Sequence, residues 1–334
     1  MSDQSPVKIG IVSFAHMHAA SYAQCLKSIP EIEFFGIYDE VAQRAKQMSE
    51  LYGVRAFRTY DELLASKVEG LIVCSENANH RKHVAQAAQN DKHVMCEKPL
   101  AATKQDAEAI VEVCRRSQVK LQTAFPTRYH PAFKRLQGEV SSGRLGRILA
   151  IKATNQGKCP FGWFADPKLS GGGAVVDHTV HCVDLIRCLT GQEPTRVYAE
   201  IDNRVFGKEF DDCGILTVDF TNKIFATIDC SWSRPKTAPI WGNLTMTVTG
   251  TEGVASMDMF RQSIDHFSDK NGTFTQDYWG ANTDMELVAS FANAIGSDLQ
   301  PEISGTDGAK AVSVVAGAYE SARTGQAIEL ADLI

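Results

Sequence analysis

The chain has 334 residues, too many for one ordinary core, so two domains are expected. Its 44% hydrophobic and 22% charged content is that of a globular protein, and a net charge of −6 offers no basic footprint for nucleic acid. No apolar stretch approaches membrane-spanning length, the first residues lack the pattern of a signal peptide, and nine cysteines without a C-x-x-C pair read as reduced thiols of a cytoplasmic protein.

The first third alternates short apolar runs with helical patterns. Strands are expected over 7–12, 32–38, 69–74, 92–96 and 119–123, with helices over 18–28, 41–52, 79–89 and 103–117. Repeated strand–helix units of this spacing imply a doubly wound parallel sheet over residues 1–125. From 126 onward the pattern changes. A helix over 131–140 leads to a long strand over 147–156, a loop rich in glycine and aromatics over 157–173, and a helix over 174–189. Strands then follow one another over 195–202, 214–220, 223–232, 243–249 and 254–259, with Thr221-Asn222 as a short hairpin turn. Strands in succession without helices between them imply a mainly antiparallel sheet in an α/β domain over 126–334. Helices over 284–295 and 307–322 and a strand over 327–330 complete the chain.

Three stretches carry chemistry. In Val94-Met95-Cys96-Glu97-Lys98-Pro99 an apolar strand ends on a lysine that the following proline keeps out of helical geometry. Ligands bind at the carboxyl ends of strands in open α/β sheets, so Lys98 is a candidate to give or take a proton. A solvated Glu97–Lys98 pair at a loop is the plain alternative. The second stretch is the first turn, Ser13-Phe14-Ala15-His16-Met17-His18. Ser13, Ala15 and His18 stand where a dinucleotide fingerprint has its three glycines. Ser13 and Ala15 are small enough for a phosphate to approach, and the helix beyond offers a positive dipole end. His16 and His18 either donate to a phosphate or cap and pack the helix. Asp39 ends the second strand, where an acid accepts from an adenosine ribose and favours NAD over NADP; the alternative is a helix-start charge. Arg44 reads as a surface helix residue.

The third stretch is Ser170-Gly171-Gly172-Gly173 before Asp177, His178, His181 and Asp184. Asp177 and His181 are four apart and share a helix face. The glycines let the helix start come close to something, with its N-terminus open to a ligand. Three readings stay open: an acid–base site with Lys98, a metal site of Asp177, His178 and His181 that lacks an obvious fourth ligand, or satisfied core polar groups.

Together, Glu97-Lys98-Pro99 and G-G-G-x-x-x-D-x-x-x-H resemble the glucose–fructose oxidoreductase/inositol dehydrogenase (Gfo/Idh/MocA) family. The resemblance extends over nearly the whole chain. It includes Ser75-Glu76-Asn77-Ala78-Asn79-His80, Arg128-Tyr129-His130-Pro131, Gly143-Arg144-Leu145-Gly146-Arg147 and Ser321-Ala322-Arg323-Thr324-Gly325. It implies a Rossmann domain, then an α/β domain whose large open sheet mediates homodimers or homotetramers. It also implies NAD(P)-dependent dehydrogenation of a sugar, polyol or cyclitol. Carried over by position, Lys98 and His181 handle the proton with Asp177 beside them. Ser13, Phe14, Ala15, His16, Asp39, Ser75, Asn77, His80, Glu97 and Lys98 meet the cofactor, and Arg128, Tyr129, Lys152, Trp163 and His178 line the substrate cleft. A cis Lys98–Pro99 bond is implied as well. The glycine-free turn, and His178-Thr179 in place of an apolar residue and glycine, depart from the pattern. Two other functions remain: glycoside cleavage or epimerisation by transient oxidation on retained NAD, and a non-catalytic nucleotide or sugar sensor.

Overall fold

The computed structural model describes residues 5–331 except 271, 279 and 298. The first half runs β1 (Val7–Val12), α1 (His18–Ser28), β2 (Ile32–Tyr38), α2 (Ala42–Tyr52), α3 (Tyr60–Leu64), β3 (Gly70–Val73), α4 (His80–Gln89), β4 (His93–Glu97), α5 (Lys104–Arg116) and β5 (Leu121–Ala124). The five strands form one parallel sheet in the order β2-β1-β3-β4-β5. Buried on both faces, β3 is an unbroken apolar run, and β4 is apolar from Val94 to Cys96, for that reason. The chain reverses at β1, so β1, β3 and β4 point their carboxyl ends at one crevice.

The second half continues with α6 (Pro131–Ser141), β6 (Ile148–Gly157), α7 (Pro167–Ser170), α8 (Ala174–Thr190), β7 (Pro194–Asp202), β8 (Cys213–Phe220), β9 (Phe225–Ser231), β10 (Gly242–Gly250) and β11 (Val254–Asp258). A hairpin of β12 (Ser263–Ser268) and β13 (Thr273–Tyr278) follows, then α9 (Thr283–Gly296), α10 (Gly305–Thr324) and β14 (Ile328–Glu329). Seven strands make the second sheet, in the order β11-β10-β6-β9-β8-β7-β14. Its pairs are antiparallel except β6 with β9. None of the described helices is long and apolar enough to cross a membrane.

Three elements were not foreseen: α3, α7 and the β12–β13 hairpin. The connection between β8 and β9 is also longer than two residues. Phe220 and Ile224 close it across Thr221, Asn222 and Lys223, and the last two take positive φ.

Helix α8 sits between the second sheet and α10, and most of its residues are buried. A helix apolar on nearly every side belongs in a core. Any ionisable group on it must therefore find a partner. Asp184 finds Arg128, which grips it through Nε (2.8 Å) and Nη2 (2.5 Å). Arg128 also reaches Asp307 at 3.2 Å, and Arg187 reaches the same carboxylate at 2.7 Å. Asp307 closes a capping box with Ser304 at the start of α10. Arg128 is thus a structural tie, and the expectation that it lines a substrate cleft is wrong. Arg128→Ala leaves Asp184 buried and unpaired, so the unfolding free energy should fall by about 3–5 kcal/mol in denaturant titrations. The Arg128→Met/Asp184→Leu double variant should lose much less.

Candidate active site

Lys98 follows β4 directly, and its bond to Pro99 is cis. Crossing from the first sheet to α8, its amine lies 2.6 Å from Asp177 Oδ1 and 3.3 Å from the Asp177 main-chain oxygen. Asp177 Oδ2 accepts from Trp232 Nε1 at 3.1 Å and lies 3.1 Å from His178 Nε2. Burial alone would raise the Asp177 carboxyl, but Lys98 and His178 hold it well below the usual carboxylate range. His178 Nδ1 faces the main-chain oxygen of Asn155 at 2.9 Å and its Oδ1 at 3.1 Å. Asn155, His178, Asp177 and Lys98 therefore form a continuous polar chain from β6 to the tip of β4. Gly157 makes room for it: a Cβ there would stand 2.7 Å from His178 Cε1.

One turn along α8, His181 faces a cavity of ≈ 360 Å³ that Lys98, Asp177 and His178 also line. Its ring packs edge-on against Phe125, and its Nδ1 has no partner among the described residues. Burial, then the nearby Lys98 charge, push this imidazole well below its ordinary value, so it stands neutral. It is ready to accept a proton from a hydroxyl in the cavity.

The start of α8 is not open to a ligand. Asp211 caps it, accepting from the N–H of Gly173 and of Val175, each at 2.8 Å. The close approach that the glycines permit is to the chain itself, since a Cβ on Gly173 would meet the Asp211 main-chain oxygen at 1.8 Å.

In the first turn Ser13 takes φ 70°, the conformation for which a glycine would be expected. Its hydroxyl accepts from Ala15 N–H at 3.2 Å. Asp39 accepts from Phe14 N–H at 2.7 Å and from Val41 N–H at 2.8 Å. Arg44 is not simply a surface residue: it reaches Asp39 at 2.6 Å and Ser13 Oγ at 3.3 Å. His16 is buried, and its Nδ1 accepts from His18 N–H at 3.2 Å, which leaves the proton on Nε2. Burial pushes this ring down to about 3, so it is neutral. His18 Nδ1 lies 3.0 Å from Glu97 Oε1; burial opposes its charge, but Glu97 raises it. Ligand atoms of His16, His18 and Glu97 all lie within 4.8 Å of one another, a spacing one ion could bridge. Here they bond to each other instead. The metal set considered from sequence does not assemble, because His178 spends both nitrogens on Asn155 and Asp177.

Other candidates fall elsewhere. His80 is fully buried, with its ring nitrogens against the main-chain oxygens of Ser75 (3.1 Å) and Pro99 (3.0 Å). It clamps the loop that carries Lys98. Ser75 and Glu97 are likewise buried supports, while Asn77 donates to Ser170 O at 2.8 Å and keeps Oδ1 unpartnered. Tyr129 is in the core, because its 3-10 turn (Pro126–Tyr129) points it inward. Lys152 is exposed, because strand alternation turns it away from α8 while Ile151 and Ala153 face the core. Trp163 donates to Ala15 O at 3.0 Å and stacks on Phe164, so it covers the first turn rather than the cavity. Sequence reasoning missed His130, Asn155 and an apolar wall from β10 and the segments beside β10 and β11, all of which line the cavity; His18, weighed there as a phosphate donor or helix cap, lines it too.

The residues fit a dinucleotide at this crevice. His16 Nε2 is a buried donor, Asn77 Oδ1 a buried acceptor and His181 Nδ1 a buried ring nitrogen, all without partners among the described residues. Residues 7–125 match the oxidoreductase family with an NAD-binding Rossmann fold, and residues 133–256 match the GFO/IDH/MocA C-terminal domain. The chain belongs to the GFO/IDH/MocA oxidoreductase family. It is 26% identical to myo-inositol 2-dehydrogenase of Thermotoga maritima, over 98% of this chain and 100% of that one. It is 27% identical to D-xylose 1-dehydrogenase (NADP(+)) 2 of Haloferax volcanii, over 86% and 89%. The crystal structure of GenD2 from gentamicin A biosynthesis in complex with NAD shares the fold, with TM-score 0.90, 21% identity and coverage of 99% and 98%. As in these dehydrogenases, the chain is an oxidoreductase.

Gly157→Ala should push His178 off Asp177 and lower turnover by about ten- to a hundredfold. If that loss runs through His178, adding His178→Ala should cost little more, a non-additivity that a double-mutant cycle reads directly.

Proposed function

We propose that this protein oxidises a secondary hydroxyl of a sugar, polyol or cyclitol, with NAD as the preferred nucleotide. The observation that carries this reading is the meeting of Lys98, Asp177 and a neutral, unpartnered His181 at one cavity beside a Rossmann crevice. Lys98 and the first turn would border the bound nucleotide, with Asn77 and Asp39 further along it. NAD, when bound, supplies the hydride acceptor.

The chain's own residues manage the proton. The neutral His181 imidazole accepts the hydroxyl proton as the C–H bond breaks. Lys98, held by Asp177, stabilises the negative charge that develops on the oxygen. Asp177 does not take the proton, because Lys98 and His178 keep it ionised. A sensor would have no use for this arrangement, since burying three ionisable groups without chemistry only costs stability. The named activities of the myo-inositol and D-xylose dehydrogenases support the substrate class.

Lys98→Ala and His181→Ala should each lower kcat by about 10²–10⁴-fold in an assay of NAD reduction across a polyol and sugar panel. A base is active above its pKa, and His181 lies well below its ordinary 6.5. Oxidation should therefore persist as pH falls through 6.5, with its acid limb lower. An acid limb that persists unchanged in the residual activity of His181→Ala would contradict the assignment.

Asp39 supports NAD over NADP, since a carboxylate there opposes a 2′-phosphate. Arg44 already neutralises it at 2.6 Å, so the discrimination should be modest. Asp39→Ala frees Arg44, and the ratio of Kd values should shift about tenfold toward NADP, roughly 1.4 kcal/mol. Calorimetry with both nucleotides checks this; an unchanged ratio would contradict it.

A further inference from the structure

The cavity has two unlike sets of lining residues. One is polar: Lys98, Asp177, His178 and His181. The other is apolar and comes from the start of β10 and the segments just before β10 and just after β11: Ile240, Trp241, Leu244, Met259 and Phe260. Leu244 and Met259 form a buried floor at 2% exposure each, while Trp241 and Phe260 stand 46% and 39% exposed. Large apolar side chains left open to water at a cavity gain most when a ligand covers them.

We propose that this cavity takes an uncharged sugar carrying an alkyl or aryl group, with that group seated against Ile240, Trp241, Leu244, Met259 and Phe260. The proposal rests on the dehydrogenase reading and names its substrate class. Charge supports it as strongly as shape. Among the described lining residues no arginine occurs, and the one lysine, Lys98, is held by Asp177 at 2.6 Å. His18 is taken up by Glu97 at 3.0 Å. The lining also includes Asp284, whose Oδ2 accepts from Ser21 at 2.5 Å. A phosphate or carboxylate placed beside Lys98 would be desolvated next to two acids, Asp177 and Asp284. An alkyl or aryl group, by contrast, would replace water on Ile240, Trp241 and Phe260 above the buried floor.

The wall makes a quantitative demand. A buried methylene contributes about 0.8 kcal/mol, close to a fourfold change in affinity. The test is equilibrium binding of n-alkyl β-D-glucosides, methyl to hexyl, to the NAD-loaded protein, with glucose and glucose 6-phosphate alongside and NAD reduction followed in parallel. Kd should tighten about three- to fourfold per methylene until the wall is covered. Phe260→Ser and Trp241→Ser, both at exposed positions, should flatten the series to less than twofold per methylene. A flat series in the wild-type protein, or tighter binding of glucose 6-phosphate than of butyl glucoside, would overturn the proposal. A wall that only stacks on the sugar ring gives the flat result. The two readings fail separately: turnover with a flat series removes the apolar wall's role, and a steep series with no oxidation of any sugar removes the dehydrogenase.

Discussion

The contact between Lys98 and Asp177 organises this molecule. It joins the tip of a strand in the parallel sheet to a helix that belongs to the other half of the chain. Both groups are nearly buried, and taking either charge out of water alone would be severely unfavourable. Each is therefore bound to the other, and the two halves are fixed in relation to one another wherever that pair is made. The cavity exists because of this fixed relation. Its reacting groups come from both halves, and neither half holds the set alone.

What surrounds the pair serves to place it. On the lysine side, His80 ties the loop after β4 to the loop after β3, and Glu97 accepts from the Lys98 N–H at 3.0 Å. On the aspartate side, Trp232 and His178 occupy the second carboxylate oxygen, and Asn155 holds His178. The helix that carries Asp177 is itself pinned at its start by Asp211 and near its end by Arg128 and Arg187. Among the described residues that line the cavity, His181 and His16 each keep a ring nitrogen without a partner. A group held rigidly next to one that is deliberately unpaired is the arrangement that proton transfer requires, since positions are set before the substrate arrives.

Much of this was legible in the sequence, for physical reasons. The parallel sheet announces itself because strands buried on both faces are apolar throughout, as in Gly70–Val73. Lys98 could be placed at a strand tip because proline forbids a helix from starting on it. Asp177 and His181 could be placed on one face because helical period alone decides it. The failures have equally specific causes. The resemblance points Arg128, Tyr129, Lys152 and Trp163 at the substrate, yet sequence carries no record of which direction a side chain leaves a turn, a strand or a loop. Lys152 alternates outward from its strand, and Arg128 answers an acid 56 residues away. The apolar wall was invisible because Leu244, Met259 and Phe260 look like any strand residues until the sheet is assembled. Helix α3 could have been found: Thr59 accepts from Glu62 N–H, and a threonine followed three residues later by glutamate signals a helix start.

The glycine-free first turn shows how a fold can keep a shape while changing the residues that make it. Ser13 adopts the backbone conformation of the glycine it replaces, and His16 turns an unpartnered N–H into the crevice that glycine amides would otherwise serve. A nucleotide bound here must bring its reactive ring to the cavity shared by both halves. The most direct test is a crystal structure of the protein with NAD. The nicotinamide is expected against Lys98, open to His181, with the Lys98–Asp177 contact intact. A nicotinamide bound away from that cavity, or a Lys98 turned from Asp177 into solvent, would contradict it.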